Sequence, residues 1–309
     1  MASHTSKIAL LLALGCSTLA ARAEGPMTAF DPKAWETALL AERKQTAEAF
    51  KDGKKSPYAA IARFDFKGDA WMTFGSAKDC DVPLEGLSAH HARVQVQGDS
   101  FVIEALDADA TFVAKGVAAD ARTARLGPGG AKLELGRYVL RLSHQNFPAA
   151  VVLDPQSPRL AEGKPPQWFA PDVKFRVTAH LERDPKPREE IVMSTRGNKR
   201  HALRLGKLEF TLEGKPLSLT ALRLLEPGNG EASVSIFFRD LTTGHESYPV
   251  GRYIDAEAVP GHDGDYTLDF NAAYNPTCAF SQLYNCPIPP RENRLDVAVR
   301  AGERDPGNH

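Results

Sequence analysis

Between Phe237 and Arg304 the chain concentrates residues able to do chemistry: the carboxylates Asp240, Asp269 and Glu292, the guanidinium of Arg252, and the amides of Asn271, Asn275 and Asn293. Tyr248, Tyr253, Tyr274 and Phe280 are interleaved with them. Carboxylates accept hydrogen bonds, a guanidinium donates in a fixed fork, and amides do both. If they converge, Asp240, Arg252, Tyr253, Asn271, Tyr274, Asn275 and Asn293 line a polar–aromatic pocket for a small anionic or carbohydrate-like ligand. The same residue types also suit a long loop that no sheet ladder reaches, where buried backbone groups need side-chain partners. Asp240 and Thr242 ahead of Gly244 form turns, and Asn275-Pro276 starts one. Pocket and scaffold are both open readings of this segment.

Asp240, His245 and Glu292 are the acid–base candidates for a hydrolase-like alternative. His245, Glu246 and Ser247 are consecutive, but neighbours along a strand face opposite ways, and a catalytic triad is made by geometry rather than by adjacency. No Gly-x-Ser-x-Gly elbow, His-Glu-x-x-His metal motif, phosphate loop or dinucleotide fingerprint occurs. Cys278 as a nucleophile would need a nearby base and a depressed pKa. The reading therefore leans towards a non-catalytic small-ligand or protein binding module, with no cofactor and no metal expected.

Lys7, the apolar run Ile8 to Leu14 and the small residues of Ala21-Arg22-Ala23 follow the order of a secretory signal cleaved after Ala23. The run falls short of the roughly 20 apolar residues of a membrane-spanning helix. A competing reading makes Cys16, after Ala13-Leu14-Gly15, a lipid-attachment cysteine, although such sites usually carry Leu where this chain has Ala13. The expected location is periplasmic or secreted. An oxidising compartment favours a disulfide between Cys278 and Cys286 across a short Pro-rich loop, leaving Cys80 as the odd thiol. A zinc site on the same two cysteines would need nearby histidines, which are absent.

The 309 residues carry 38 basic and 39 acidic side chains, and 42% are hydrophobic. Such a near-neutral, interspersed balance leaves no electrostatic footprint for nucleic acid or an anionic membrane, while supplying enough apolar material for real cores. The expected partner is a small ligand or a protein.

The elements that must position these residues are mostly strands. Asp31-Pro32 opens a helix, with Trp35, Leu39 and Phe50 on the face that docks. Residues 92–97 and 100–105 alternate around Gly98-Asp99, and 132–135 and 138–142 flank Gly136-Arg137, predicting two hairpins. Short strands with Gly-rich turns over 58–155 predict a β-sandwich. A stretch rich in Pro, Gly and charge follows over 156–170, read as a linker. Alternation over 173–181, a hairpin through Glu213-Gly214-Lys215-Pro216, and runs at 233–238, 248–254 and 266–270 predict a second, predominantly antiparallel β domain over 171–303. Around these lie the signal (1–23), the N-terminal helix with its linker (24–57) and a tail (304–309).

Two resemblances follow. Phe74-Gly75-Ser76, Cys80-Asp81-Val82-Pro83-Leu84, Leu87-Ser88-Ala89-His90-His91-Ala92 and Lys115-Gly116 resemble a forkhead-associated domain. That resemblance implies a β-sandwich whose loops read phosphothreonine through Gly75, Ser76, Ser88, His91 and Lys115. Ser76 stands where the family has its phosphate-binding Arg, and Lys115 where it has Asn. A hydroxyl does not replace the bidentate charged fork, so the resemblance implies a degenerate site, with protein contact independent of phosphate as the alternative use. Arg239-Asp240-Leu241-Thr242-Thr243-Gly244, Gly251-Arg252-Tyr253, Tyr274-Asn275-Pro276, Cys286-Pro287-Ile288-Pro289-Pro290 and Glu292-Asn293-Arg294-Leu295 resemble the bacterial domain of unknown function 1684. That family implies an architecture and no agreed reaction.

Overall fold

The computed structural model describes residues 30–129, 131–230 and 233–307. The expected signal segment, its cleavage point at Ala23 and Cys16 lie outside the described residues. Among the described residues, no helix is long and apolar enough to cross a membrane.

Helix α1 (Pro32–Ala49) begins where Asp31-Pro32 predicts. The Asp31 carboxylate accepts from the backbone N–H groups of Lys33 and Ala34 at 2.9 and 3.3 Å, satisfying donors that the first turn leaves free. Leu39 and Arg43, one turn apart, are its buried residues. Trp35 Nε1 donates to the Asp269 carboxylate at 2.5 Å. Phe50, just past the last turn, meets the Phe280 ring edge-on with centroids 4.6 Å apart. The helix is thereby fastened to the C-terminal half of the chain at both ends.

Ten strands follow: β1 (Ala60–Asp65), β2 (Met72–Gly75), β3 (Val82–Pro83), β4 (Ala92–Gln97), β5 (Ser100–Ala105), β6 (Val113–Ala114), β7 (Thr123–Leu126), β8 (Ala131–Leu135), β9 (Tyr138–Ser143) and β10 (Ala149–Leu153). They form two five-stranded sheets, ordered β1-β10-β9-β8-β6 and β3-β2-β4-β5-β7. Both expected hairpins form, β4 with β5 and β8 with β9, closing at Gln97↔Ser100 and Leu135↔Tyr138. Gly98 and Gly136 take φ of +56° and +53°, the left-handed region a two-residue turn requires. Phe74, Phe101, Ile103, Leu133 and Leu140 fill the space between the sheets with no exposed surface. Each such side chain is worth about 1.5–3 kcal/mol of transfer free energy.

The stretch read as a linker holds a short helix, α2 (Pro158–Glu162). The second β region is one seven-stranded sheet of β11 (Arg176–Met193), β12 (Lys199–Leu212), β13 (Lys215–Leu224), β14 (Ser235–Phe238), β15 (Arg252–Asp255), β16 (Glu257–Ala258) and β17 (Asp265–Asp269). Its order is β15-β14-β13-β12-β11-β17-β16, and it curls until it is nearly a closed barrel. The chain is thus mainly β and predominantly antiparallel, as its alternation implies. Two local readings need correction. Val173–Phe175 form a 3-10 turn capped by Asp172, so the strand starts only at Arg176. Pro216 lies inside β13 opposite Thr211, because Glu213 and Gly214 alone, with φ of +51° and +75°, make the turn.

Phe210, Leu219, Phe238, Leu268, Phe270, Val297 and Val299 fill the barrel core. A separate cluster contains Tyr58, Phe237, Tyr248, Tyr253, Phe280 and both Cys278 and Cys286. On the other side Ala60, Val139, Val151 and Leu153 meet Leu283 and Tyr284. The segment around residues 278–286 is therefore wedged between the outer face of the sandwich and the barrel.

Candidate ligand-binding site

After β14 the chain makes little regular ladder, and side chains take over its backbone bonding. Arg252, 1% exposed, sits at the centre of this substitution. Its Nη1 donates to the carbonyls of Ala301 and Glu303, and its Nη2 to Val299 at 2.8 Å and to the Asp240 carboxylate at 3.2 Å. Asp240, with no exposed surface, also accepts from Val299 N–H at 2.7 Å and from the Thr242 hydroxyl at 2.8 Å. Burial pushes the Arg252 guanidinium below its ordinary value, opposed by the Asp240 and Glu303 carboxyls. Asn293 does comparable work at β13 and β14. Its Oδ1 accepts from Thr220 N–H at 2.7 Å, while its Nδ2 donates to the carbonyls of Thr220 and Phe237 at 3.0 and 2.9 Å. The Tyr253 hydroxyl donates to the Pro287 carbonyl. Asp240, Arg252, Tyr253 and Asn293 are thus committed to holding the loop.

The other three residues of the expected pocket do reach a cavity. Asn271, Tyr274 and Asn275 border a space of about 460 Å³ between α1 and the C-terminal loops, a volume suited to a small molecule. Tyr274 is placed there by a two-bond bridge to Tyr253, with N–H···O distances of 2.9 and 3.0 Å in the two directions. It stays 37% exposed, a ring left open at the rim. Asn271 exchanges two bonds of 2.9 Å with the backbone of Asp172, imitating a ladder rung.

Sequence reasoning did not single out Arg43, Trp168, Asp255 or Glu303, which border the same cavity. Arg43 comes from α1, where an arginine four residues after Leu39 on the docking face was the available sign. It donates to the carbonyls of Phe169 and Asn271 at 2.9 and 3.0 Å and stacks over Trp168 at 5.8 Å. Glu303 is 5% exposed and accepts from Asn275 N–H at 2.8 Å. Burial drives its carboxyl up to about 7, against the opposing effects of that hydrogen bond, Arg252 and Arg43. The Asp255 carboxyl is also raised, by loss of water around it and by Glu257. Desolvation raises the Tyr274 phenol, with Asp255 and Glu303 adding to the effect. Two lining residues carry a buried polar atom that no group among the described residues satisfies, Nε of Arg43 and Oδ1 of Asn275. Such atoms are costly, and each calls for an explanation in a ligand, an ion or water.

The acid–base candidates are not brought together. Asp240 is buried against Arg252, His245 lies exposed in a turn, and Glu292 reaches Arg204 at 3.5 Å on the surface. The expected Cys278–Cys286 disulfide is not formed; both thiols are free and buried. They lie alongside each other, with Cys278 N–H donating to Cys286 Sγ at 3.3 Å. The Cys286 thiol is held well above its ordinary pKa and Cys278 below it, because the former shares its proton with the latter.

In the sandwich, Ser88 and His91 are used internally. His91 is 6% exposed and ties the Ser88 hydroxyl, at 3.3 Å, to the Thr111 carbonyl, at 2.8 Å. A Cβ at Gly75 would meet the Ala89 carbonyl oxygen at 2.2 Å, so only glycine fits there. Ser76 and Lys115 are exposed.

Residues 165–304 match a family model described as "Protein of unknown function (DUF1684)". An uncharacterized protein from Haloarcula marismortui, solved by solution NMR, is 35% identical over a match covering 48% of this chain and 80% of that one, with a TM-score of 0.40. No curated protein matches the chain.

Proposed function

The chain belongs to the DUF1684 family through residues 165–304, and we propose that this region, closed by α1, is a non-catalytic binding module for a small polar ligand in an exported protein. The observation that carries the reading is the cavity of about 460 Å³ with unsatisfied Arg43 Nε and Asn275 Oδ1 in its walls. Its charges nearly balance. Arg43, Lys55 and Arg141 face Glu42, Asp255, Glu257 and Glu303, which favours neither a simple anion nor a simple cation. Hydroxyl groups can donate to an amide oxygen and accept from a guanidinium at once. With the rings of Trp168 and Tyr274 alongside, a carbohydrate-like, polyhydroxylated ligand fits best. The charged, apolar and small-residue order of residues 7–23 supports export.

A thermal-shift screen of sugars, polyols and small carboxylates on the chain lacking residues 1–23 tests this reading. Polyhydroxylated compounds should raise the melting temperature, and Trp168→Ala and Tyr274→Ala should each weaken that binding at least tenfold. Binding that survives both substitutions rules out this cavity. A hydrolase-like alternative would have to use the buried carboxyl of Glu303, which lines the cavity and is raised by burial, in place of Asp240, His245 and Glu292, which do not converge. Recovering the bound compound unchanged after long incubation distinguishes binding from turnover.

For residues 58–155 we propose a forkhead-associated-like sandwich that makes protein contacts without reading phosphate. Internal use of Ser88 and His91, and the hydroxyl of Ser76 where a guanidinium is needed, support this.

A further inference from the structure

At one end of the sandwich the loops after β2 and before β4 bring Asp79, Cys80 and His90 together, and we propose that these three side chains bind a zinc-class divalent cation. A carboxylate oxygen, the Cys80 sulfur and an imidazole nitrogen all lie within 4.8 Å of one another. His90 Nε2 already stands 3.1 Å from both Asp79 oxygens. Around a tetrahedral zinc, with bonds of about 2.0–2.3 Å, ligand atoms are separated by roughly 3.5 Å. The trio therefore has to contract by on the order of an ångström, and the side chains of Asp79 and His90, 76% and 46% exposed, are free to make that adjustment.

The donor set selects the ion. A thiolate with an imidazole suits zinc and its late-transition neighbours rather than calcium or magnesium, which prefer all-oxygen shells. Three protein ligands leave the fourth position to water, the arrangement of an open zinc site. The backbone carrying the ligands is held from both sides. Asp81, next to Cys80, accepts from the N–H and hydroxyl of Thr73, both at 2.8 Å, and Thr73 Oγ1 accepts in return from Asp81 N–H at 2.9 Å. His90 N–H donates to the Asp107 carboxylate at 2.8 Å, and Asp107 N–H donates back to the His90 carbonyl at 3.0 Å.

Asp81 and Asp107 add negative charge around the same sulfur, which a divalent cation would offset. Cys80 Sγ makes a weak 3.4 Å contact with the Ala89 carbonyl and a side-chain hydrogen bond with Thr73. An exposed His–Asp pair alone adds little to stability and does not account for a thiol within 4.8 Å of the same two groups. Binding forms the metal–sulfur bond as Cys80 gives its proton to solvent, so no oxidant or reductant is involved.

Zinc titration against a chelating dye, using the chain without residues 1–23, should show one equivalent bound. Cys80→Ser and His90→Gln should each lower affinity at least tenfold, whereas the Cys278→Ser/Cys286→Ser double variant should bind as the parent does. Cobalt should give a thiolate charge-transfer absorption that Cys80→Ser abolishes. His90 is on the surface, so its variant folds and keeps the test decisive. No binding by the parent, or binding unchanged by Cys80→Ser or His90→Gln, overturns the site.

Discussion

Asp240→Ala should destabilise the protein by about 3–5 kcal/mol, a large share of the 5–15 kcal/mol that holds a typical domain folded. The cause is the charge left behind. Arg252 is 1% exposed and Asp240 wholly buried, so removing the carboxylate strands a guanidinium among carbonyls. Those of Val299, Ala301 and Glu303 remain as acceptors, but they carry no formal countercharge. The variant also orphans Val299 N–H, which donates to Asp240, and that unmade bond adds about 1–3 kcal/mol, whereas the Thr242 hydroxyl keeps the Ser247 hydroxyl as a partner at 2.8 Å. Asp240→Asn should cost less, because the amide still accepts from Val299. Urea unfolding followed by circular dichroism measures the difference. A midpoint for Asp240→Ala within experimental error of the parent would show that the pair does not hold the loop.

Glu303→Gln should change how stability depends on pH. In the folded chain the Glu303 carboxyl is raised from 4.5 to about 7. Between those values the folded state keeps a proton that the unfolded state has released, so stability falls as pH rises through the window and levels off above about 7. The shift corresponds to about 3 kcal/mol, since one pKa unit is about 1.36 kcal/mol. Glutamine cannot ionise, yet its carbonyl oxygen can still accept from Asn275 N–H as Glu303 does. Parent and variant should therefore match near pH 4 and diverge by about 3 kcal/mol near pH 8, the variant being the more stable. Parallel stability–pH curves would show that Glu303 is not titrating in this range. The same buried acid gives ligand binding a pH dependence around neutrality, as ionisation changes the charge facing the cavity.

What could be read from sequence was local. Asp31-Pro32 sets the start of α1 because a cap and a fixed φ act within one turn. Gly98 and Gly136 mark their hairpins because two-residue turns need positive φ. The C-terminal half of β11 was hidden, since Asp184-Pro185-Lys186-Pro187 interrupts the alternation and the register shifts between Arg183 and Arg188. Residue types in the C-terminal loop told that polar chemistry would be dense there, but not which residues meet. Asp240 finds Val299 59 positions away, and Arg43 finds Asn271 across 228. Both pairings are set by tertiary packing. That packing divided the expected site, sending Asp240, Arg252, Tyr253 and Asn293 to scaffold and leaving Asn271, Tyr274 and Asn275 at the cavity. The cysteine spacing likewise placed Cys278 and Cys286 together but did not fix their bonding.

The central claim is that the space between α1 and the C-terminal loops holds a small polar ligand. A crystal structure of the chain soaked with the best compound from the screen tests it most directly. Ligand density should fill the cavity between Trp168 and Tyr274, with polar atoms within hydrogen-bond reach of Arg43, Asn275 or Glu303. Density for the compound elsewhere, with solvent alone in this cavity, would contradict the account.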